Sequence, residues 1–295
     1  MNKTVLVTGG AGFVGSHLCK ALKEAGHTVI SLDNYFTGSE DNHVEGGEYR
    51  TGHTADIERL IPEKIDILFH LGEYSRVAPS LDEPRTVWDL NVIGSLAVFE
   101  WWRAQNTDHA CKLIYAGSST RFAEVREDKV AGKDRAPYNF AKFVNTELVH
   151  NYGRWYDLPY SVAYFYNVYG PGERAGQRNG SYGTVVETFL THSKNHEPCT
   201  INGDGTQTRA FTHVTDTVAA LLLIALKGES EEYAISAAEV YTLNELADLM
   251  GLEKTYAEAT KSTRSSGAED TTKLAALGWQ QTHTLEAYIA ACLKK

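Results

Sequence analysis

One tyrosine and one lysine in the sequence stand at a spacing that could support acid–base chemistry. Tyr138 and Lys142 are four residues apart in the segment "PYNFAKFVN", and residues at positions i and i+4 share one face of a helix. A free phenol, with a pKa of about 10, is a poor base near neutral pH, but a neighbouring ammonium group favours the phenolate. Tyr138 could then remove a proton from a hydroxyl group. Because the chain contains 16 tyrosines, this pair gains meaning only from the elements around it.

The elements before residue 168 alternate between strand and helix patterns. Apolar runs rich in β-branched residues predict strands at 4–9, 27–33, 64–72, 111–119 and 159–167. Amphipathic periodicity predicts helices at 14–26, 86–105 and 138–156. This alternation is typical of a parallel sheet with helices on both faces, so the predicted fold class is α/β.

The pattern changes after residue 168. Residues 168–183 are rich in Gly and Arg, and further helices are predicted at about 215–227, 242–250 and 284–293. We therefore expect a smaller C-terminal lobe packed over one end of the sheet, with a cleft between the two parts of the chain.

A glycine-rich turn follows the first predicted strand. Residues 8–15 read "TGGAGFVG", which places Gly9, Gly12 and Gly15 three residues apart at a strand-to-helix junction. Glycine lets the backbone approach a pyrophosphate closely, while the next helix directs free N–H groups at the phosphates. The second strand ends at Asp33, whose carboxylate can accept hydrogen bonds from ribose hydroxyls and would repel a 2′-phosphate. The pattern is weak alone, but in this context it predicts a dinucleotide site that favours NAD over NADP.

With NAD present, the tyrosine–lysine pair predicts a redox step. Tyr138 would remove a hydroxyl proton while a hydride leaves the same carbon atom, and Lys142 would reach the nicotinamide ribose. A third group should hydrogen-bond the reacting oxygen. The segment "YAGSST" offers Ser118, Ser119 and Thr120 at the carboxyl end of a parallel strand, where such folds place their sites.

Composition and charge exclude several classes of function. The net charge is −10, from 28 basic and 38 acidic residues, which argues against a nucleic-acid-binding surface. The opening "MNKTVLVTGG" predicts a strand rather than a signal peptide, and no apolar run is long enough to span a membrane. We expect a cytoplasmic protein without a metal site, because the cysteines form no C-x-x-C pair and the histidines form no ligand cluster. The four cysteines are Cys19, Cys111, Cys199 and Cys292.

The three motifs together resemble one enzyme family. The set "TGGAGFVG", "YAGSST" and "YNFAK" is similar to that of the extended short-chain dehydrogenase/reductase family, specifically its NAD-dependent nucleotide-sugar epimerases of the UDP-glucose 4-epimerase type. The resemblance covers nearly the whole chain. It implies a Rossmann-type, doubly wound parallel sheet in an NAD-binding domain at 1–168, to which 210–240 returns. It also implies a smaller C-terminal substrate-binding lobe made of 169–209 and 241–295.

The resemblance further implies roles for individual residues. Ser118, with Ser119 as the second choice, would join Tyr138 and Lys142 in catalysis, and Asn91 would back the active site. The expected substrate contacts, which include two arginines for the diphosphate, are Ser118, Ser119, Asn167, Arg209 and Arg264. The expected cofactor contacts are Gly9, Gly12, Phe13, Val14, Gly15, Asp33, Asn34, Asp56, Ile57, Leu71, Gly72, Tyr138, Lys142 and Phe165.

Departures from the family pattern narrow the chemistry. Dehydratases of the family carry Asp-Glu directly after the catalytic hydroxyl residue, and decarboxylases also tend to carry an acid there, whereas Ser118 is followed by Ser-Thr-Arg-Phe. A lysine common in glucose/galactose epimerases is replaced by Ser75. Strict glucose/galactose epimerases have a bulky residue that narrows the sugar pocket, and the matching position here is Gly267. We therefore hypothesise a pocket that is open to N-acetyl sugars.

These features predict NAD-dependent epimerisation at C4 of a nucleotide-diphosphate sugar through a 4-keto intermediate. The expected substrates are UDP-glucose/galactose or the N-acetyl hexosamines. The alternatives are a nucleotide-sugar reductase or dehydratase that uses NAD or NADP and, less favoured, a non-catalytic NAD-binding protein. The resemblance also implies a homodimer, joined as a four-helix bundle through the helices at 86–105 and 138–153, with no nucleic-acid or membrane partner.

Overall fold

A computed structural model of the protein describes residues 2–122, 131–173, 183–260 and 269–294, without the side chain of Arg121. The strands are β1 Thr4–Thr8, β2 Thr28–Asp33, β3 Glu48–Thr51, β4 Ile67–His70, β5 Lys112–Ser118, β6 Tyr160–Phe165, β7 Val168–Tyr169, β8 Cys199–Asn202, β9 Thr208–Ala210, β10 Thr212–His213, β11 Glu232–Ile235, β12 Val240–Thr242 and β13 Lys254–Ala257. The α-helices are α1 Phe13–Glu24, α2 Ile57–Leu60, α3 Pro84–Val87, α4 Gly94–Gln105, α5 Pro137–Tyr156, α6 Val185–Asn195, α7 Val214–Lys227, α8 Leu243–Leu249, α9 Thr272–Ala276 and α10 Leu285–Leu293.

Seven strands form one parallel sheet in the order β3–β2–β1–β4–β5–β6–β11. Because β1 pairs with both β2 and β4, the chain winds outward from it in two directions. This arrangement confirms the predicted α/β class and the Rossmann-type, doubly wound sheet. The sequence analysis missed β3, whose residues EYRT include no fully buried side chain. An edge strand of this kind carries no apolar pattern from which it could be predicted.

The core lies on both faces of this sheet, because successive side chains of a strand point to opposite sides. In β1, Leu6 belongs to the cluster that contains Trp102 of α4, whereas Val7 belongs to the cluster that contains Leu18 of α1 and Leu221 of α7. All five side chains are fully buried. Full burial of a large apolar side chain contributes roughly 1.5–3 kcal/mol, so these two layers hold the sheet rigid beneath the site.

The segment 210–240 packs on the large sheet. Helix α7 covers one of its faces through the apolar cluster just described, and β11 pairs with β6 at its edge. This placement agrees with the expectation that the segment returns to the nucleotide-binding part of the chain. The domain boundaries themselves stay a prediction.

The helix predicted at 86–105 consists of three consecutive segments. A π-helical segment, Trp88–Ile93, lies between α3 and α4, and π-helical turns occur frequently at functional sites. Asn91, on this segment, is fully buried. Its amide accepts the Tyr74 N–H at 2.6 Å and donates to the Tyr74 carbonyl at 3.0 Å. Asn91 therefore fixes the chain where it leaves β4, beside the cleft described below.

The C-terminal lobe has its own apolar cluster, in which Phe189 of α6 packs with Leu246 of α8 and Ile289 of α10. Asp216 of α7, whose carboxylate is buried, anchors residues 279–283 to the helix that covers the sheet. Asp216 Oδ2 accepts the N–H groups of Thr282 and His283 at 3.1 and 2.9 Å. The indole N–H of Trp279 donates to the Asp216 carbonyl at 2.9 Å.

Within the described ranges, no helix has both the length and the apolar character needed to cross a membrane. In the same residues, His, Cys, Asp and Glu side chains nowhere gather in the groups of three or more that could hold a metal ion. All four cysteines are free thiols, and all except Cys292 are buried.

Candidate active site

The glycine turn after β1 leaves no room for side chains. Gly9 has a φ of +74°, and a Cβ built on Gly15 would lie 2.1 Å from the Gly9 carbonyl oxygen. The same oxygen would be 3.1 Å from a Cβ on Gly12 and accepts the Gly12 N–H at 3.1 Å. The backbone therefore forms an open cradle at the N-terminus of α1, where free N–H groups and the helix dipole favour an anion.

Asp33 lies at the end of β2, next to this turn. Its carboxylate is buried and accepts the N–H of Ala11 at 2.9 Å and the N–H of Tyr35 at 2.8 Å, one on each oxygen. Burial raises the pKa of Asp33, and the two backbone N–H groups oppose that shift. A carboxylate has about four acceptor sites, so Asp33 can still accept hydrogen bonds from a pair of ribose hydroxyls.

A cleft of about 520 Å³ runs from the glycine turn to the C-terminal lobe. Most of the residues predicted for the site line it. The predicted cofactor residues along the cleft are Gly9, Gly12, Phe13, Val14, Gly15, Asp33, Asn34, Leu71, Gly72, Tyr138, Lys142 and Phe165. The predicted substrate residues along it are Ser118, Ser119, Asn167 and Arg209. The structure thus brings together residues that are up to 200 positions apart in the sequence, from Gly9 to Arg209, and their individual roles stay predictions.

Two of the expected cofactor residues, Asp56 and Ile57, are not among the described residues that line the cleft. The Asp56 carboxylate lies at the surface, 3.4 Å from the Arg59 guanidinium, and the Ile57 side chain is buried in the apolar core. In their place, Thr54 lines this part of the cleft. Asp56 ends the short turn Thr54–Asp56 and Ile57 begins α2, and their expected contact with the adenine stays a prediction. Arg264 lies outside the described residues, as does Gly267.

Tyr138 and Lys142 lie in the first turns of α5. Pro137 occupies the first helical position, where its fixed φ favours the helix start. Both side chains line the cleft and are largely buried, with relative exposures of 8% for Tyr138 and 5% for Lys142. Ser118, at the end of β5, has its hydroxyl 2.9 Å from that of Thr120. The three residues predicted for catalysis therefore all line the same cleft.

The sequence analysis missed a carboxylate beside this lysine. Glu73 follows β4, and one of its oxygens forms an ion pair with the Lys142 ammonium, which also donates to the Ala116 carbonyl. The other Glu73 oxygen accepts hydrogen bonds from three polar groups. They come from Ser95 of α4 at 2.9 Å, Tyr115 of β5 at 3.1 Å and Asn145 of α5 at 2.7 Å.

Neighbouring groups stabilise the ionised form of Glu73. Burial raises the pKa of Glu73, but the Lys142 charge and the hydrogen bonds outweigh burial, so the net direction is downward. Burial lowers the pKa of His70, the next titratable group, to about 4. His70 is therefore neutral near pH 7, and its ring bridges Thr8 at 2.7 Å and Ser95 at 2.8 Å.

This polar network reaches the glycine turn. The Thr8 hydroxyl accepts the N–H groups of Leu71 and Gly72 at 3.1 and 3.0 Å, and both of these residues line the cleft. A continuous chain of hydrogen bonds therefore links the end of β1, next to the glycine turn, to Lys142 through His70, Ser95 and Glu73.

The sequence of this chain matches the NAD dependent epimerase/dehydratase family over residues 5–236. The chain belongs to this family. It is 31% identical to a protein of Methanocaldococcus jannaschii that carries the provisional name UDP-glucose 4-epimerase, over 83% of this chain and 81% of that protein. It is 29% identical to the UDP-N-acetyl-alpha-D-glucosaminuronate decarboxylase of Bacillus cytotoxicus, over 75% of this chain and 71% of that one.

The fold also matches that of a solved enzyme. The crystal structure of UDP-glucose 4-epimerase from Thermotoga maritima with UDP-glucose superposes with a TM-score of 0.88, over 99% of this chain and 97% of that one, at 29% identity. The resemblance to the epimerase branch is therefore confirmed at the level of family and fold, while the family also contains decarboxylases and dehydratases.

NAD, the cofactor of this family, fits the residues present. The cradle formed by Gly9, Gly12 and Gly15 is the space that side chains would fill, and it suits a pyrophosphate. The paired acceptor oxygens of Asp33 suit ribose hydroxyls. Lys142 has three N–H donors, of which two are used by Glu73 and Ala116, so one remains for the nicotinamide ribose.

The substrate end of an epimerase/dehydratase cleft should carry anchors for a diphosphate. Here Asn167, with a φ of +37°, donates its side-chain N–H to the Ala210 carbonyl at 2.7 Å, which joins β7 to the lobe. Arg209 donates to the Thr208 carbonyl at 2.6 Å and lines the cleft. Glu173 is a lining residue that the sequence analysis missed, and burial raises its pKa to about 7.

Proposed function

We propose that this chain is an NAD-dependent 4-epimerase of a UDP-sugar. The observation that supports the proposal is that Ser118, Tyr138 and Lys142 line one cleft together with the glycine turn and Arg209. The cleft therefore combines a dinucleotide cradle, a proton-transfer group and an anion anchor. The similarity to UDP-glucose 4-epimerases supports the choice of reaction.

In the proposed reaction, one proton moves from the sugar to a side chain of this protein and later returns to the sugar. Tyr138, as phenolate, takes the proton of the C4 hydroxyl while the C–H bond at C4 breaks, and Ser118 hydrogen-bonds the C4 oxygen as it becomes a carbonyl. Bound NAD supplies the acceptor and later the donor of the hydride. Arg209 holds the diphosphate while the keto sugar turns over. Tyr138 then returns its proton to the C4 oxygen, which restores a hydroxyl of inverted configuration.

A decarboxylase is the second candidate, because one of the similar proteins is a UDP-N-acetylglucosaminuronate decarboxylase. Oxidation at C4 would be common to both reactions, since a 4-keto group activates a C6 carboxylate for loss. The segment after Ser118 reads Ser-Thr-Arg-Phe and offers no carboxylate at the position where acid residues support the family's eliminations. We therefore place epimerisation first.

A panel of nucleotide sugars distinguishes the two reactions. The purified protein is incubated, without added cofactor, with UDP-glucose, UDP-N-acetylglucosamine and the two corresponding uronic acids, and proton NMR follows the sugar ring. Inversion at C4 with the carbon skeleton intact supports the epimerase. Loss of the C6 carbon from a uronic acid identifies a decarboxylase, and conversion of none of the sugars contradicts the proposal.

We also infer a homodimer. Several apolar side chains are exposed on the outer faces of the 84–105 helical segments and α5, where a monomer would leave them in water. They are Trp88, Ile93, Leu96, Phe140, Trp155 and Tyr156, with relative exposures of 38–62%. Pairing of these faces between two subunits would bury them in a four-helix bundle.

A further inference from the structure

The ion pair between Glu73 and Lys142 places a fixed negative charge beside the residues predicted for catalysis. The carboxylate is 3% exposed and the ammonium is 7% exposed, so water screens neither of them strongly. Lys142 Nζ also lies 4.5 Å from the centroid of the Tyr115 ring. The lysine that should favour the phenolate of Tyr138 therefore shares its charge with a carboxylate.

Among the titratable groups near this ion pair, we expect Glu73 and Lys142 to set the net charge that acts on Tyr138. His70 from β4 is neutral near pH 7, and burial raises the pKa of Tyr115 well above its usual range. Tyr74 packs in the same small cluster as Tyr138. The remaining titratable groups along this part of the cleft are Arg76, Glu173 and Arg209.

We propose that Glu73 is a positioning residue that holds Lys142 in place and limits how far the lysine charge favours the phenolate form of Tyr138. This inference rests on the proposed role of Tyr138 as the proton-transfer group, but not on the identity of the sugar. A reaction that takes and returns the same proton needs a phenolate that is still basic enough to take it. Glu73 would keep Tyr138 from becoming too weak a base for that step.

The direct test is the pH titration of Tyr138 in Glu73→Gln, which removes the charge and nearly keeps the shape. Ultraviolet difference spectra between each protein and its Tyr138→Phe derivative isolate this one phenol among the 16 tyrosines. We expect the midpoint of phenolate formation to move down by about one pH unit. A unit charge roughly 12 Å away would have this effect at an effective dielectric constant of about 20, and a nearer charge would have a larger one.

The second readout is the pH dependence of turnover, measured with whichever nucleotide sugar the protein converts. The acidic limb of the kcat profile should move down by a similar amount in Glu73→Gln. If Glu73 were merely structural, activity would fall by the same factor at every pH and the limb would not move. An unchanged or raised midpoint in the spectroscopic titration overturns the proposal.

Two further variants keep the test decisive. Glu73→Asp withdraws the carboxylate by one methylene group and should move the midpoint in the same direction by less, which serves if Glu73→Gln does not fold. Glu232→Gln is the matched control and should leave the midpoint of phenolate formation unchanged. The Glu232 carboxylate also contacts a tyrosine, Tyr164, at 2.6 Å, but it lies on β11 at the sheet edge. The spectroscopic titration needs no sugar, so a failed epimerase assay and a failed role for Glu73 give different results.

Discussion

A Cβ atom at Gly15 would lie 2.1 Å from the carbonyl oxygen of Gly9. Contact with a backbone atom at this distance cannot be relieved by turning a side chain, so the turn after β1 must shift. We expect Gly15→Ala to lower the free energy of unfolding by about 1–3 kcal/mol and to abolish NAD binding, measured by urea unfolding and calorimetry. Gly26→Ala is the control, because Gly26 has a φ of +83° but no atom within 4 Å of the new Cβ. It should cost about 1 kcal/mol and leave NAD affinity unchanged.

Tyr138→Phe should remove the group that transfers the proton while keeping the ring that packs beside Tyr74 and Leu90. We expect kcat to fall by about 10²–10⁴-fold, with NAD affinity and thermal unfolding close to those of the wild type. Tyr156→Phe, on the exposed end of the same helix, should retain full activity. Equal turnover by Tyr138→Phe and the wild type would remove Tyr138 from the mechanism.

Arg209→Ala should weaken binding of the nucleotide sugar. A charge-assisted hydrogen bond contributes roughly 1.5–3 kcal/mol, which corresponds to an increase in KM of about 10–100-fold, with NAD affinity unchanged. Arg154→Ala is the surface control, because Arg154 is exposed and its guanidinium donates to Asn151 at 2.8 Å. If KM for the sugar stays the same in Arg209→Ala, another group must hold the diphosphate.

His70 should make the protein sensitive to acid. Burial lowers its pKa from 6.5 to about 4, so between these pH values the unfolded chain binds a proton that the folded chain does not. The free energy of unfolding should therefore fall as the pH drops from about 6.5 to about 4, with His70 contributing up to about 3 kcal/mol. In His70→Gln this slope should be shallower, measured by urea unfolding at a series of pH values. His192→Gln, at the surface, should keep the wild-type slope.

Ile93→Glu should separate the proposed dimer. Ile93 is 56% exposed in the single chain, so a charge there costs the fold little, but it would be buried without a partner in the four-helix bundle. Sedimentation should show a dimer for the wild type and a monomer for the variant. Leu226→Glu, at 75% exposure on α7, should remain dimeric. A wild-type protein that sediments as a monomer would contradict the proposed assembly.

The sequence predicts the dinucleotide end of the cleft well because its signals are local. Gly9, Gly12, Gly15 and Asp33 lie within one strand–helix–strand unit, and their chemistry depends on backbone geometry that the spacing already determines. Five of the seven strands of the sheet follow for the same reason, since the inner strands are continuous apolar runs. The two edge strands, β3 and β11, lack such a run and were missed.

The buried partners of Lys142 could not be predicted in this way. Glu73 is 69 residues from Lys142 and 22 residues from Ser95, so no local pattern connects them. A glutamate directly after a buried strand is the available signal, because a charge there must find a partner in the fold.

The fastening of Thr282 and His283 to Asp216 has a consequence for turnover. A hinge motion that swung the C-terminal lobe away from the sheet would strip a buried anion of its donors, at a cost comparable to much of the stability of a domain. We therefore expect the two walls of the cleft to keep a fixed separation during turnover. A sugar that rotates between the two half-reactions then needs a cleft that is already wide enough. Steric fit, rather than opening of the cleft, would determine which sugar rings can rotate.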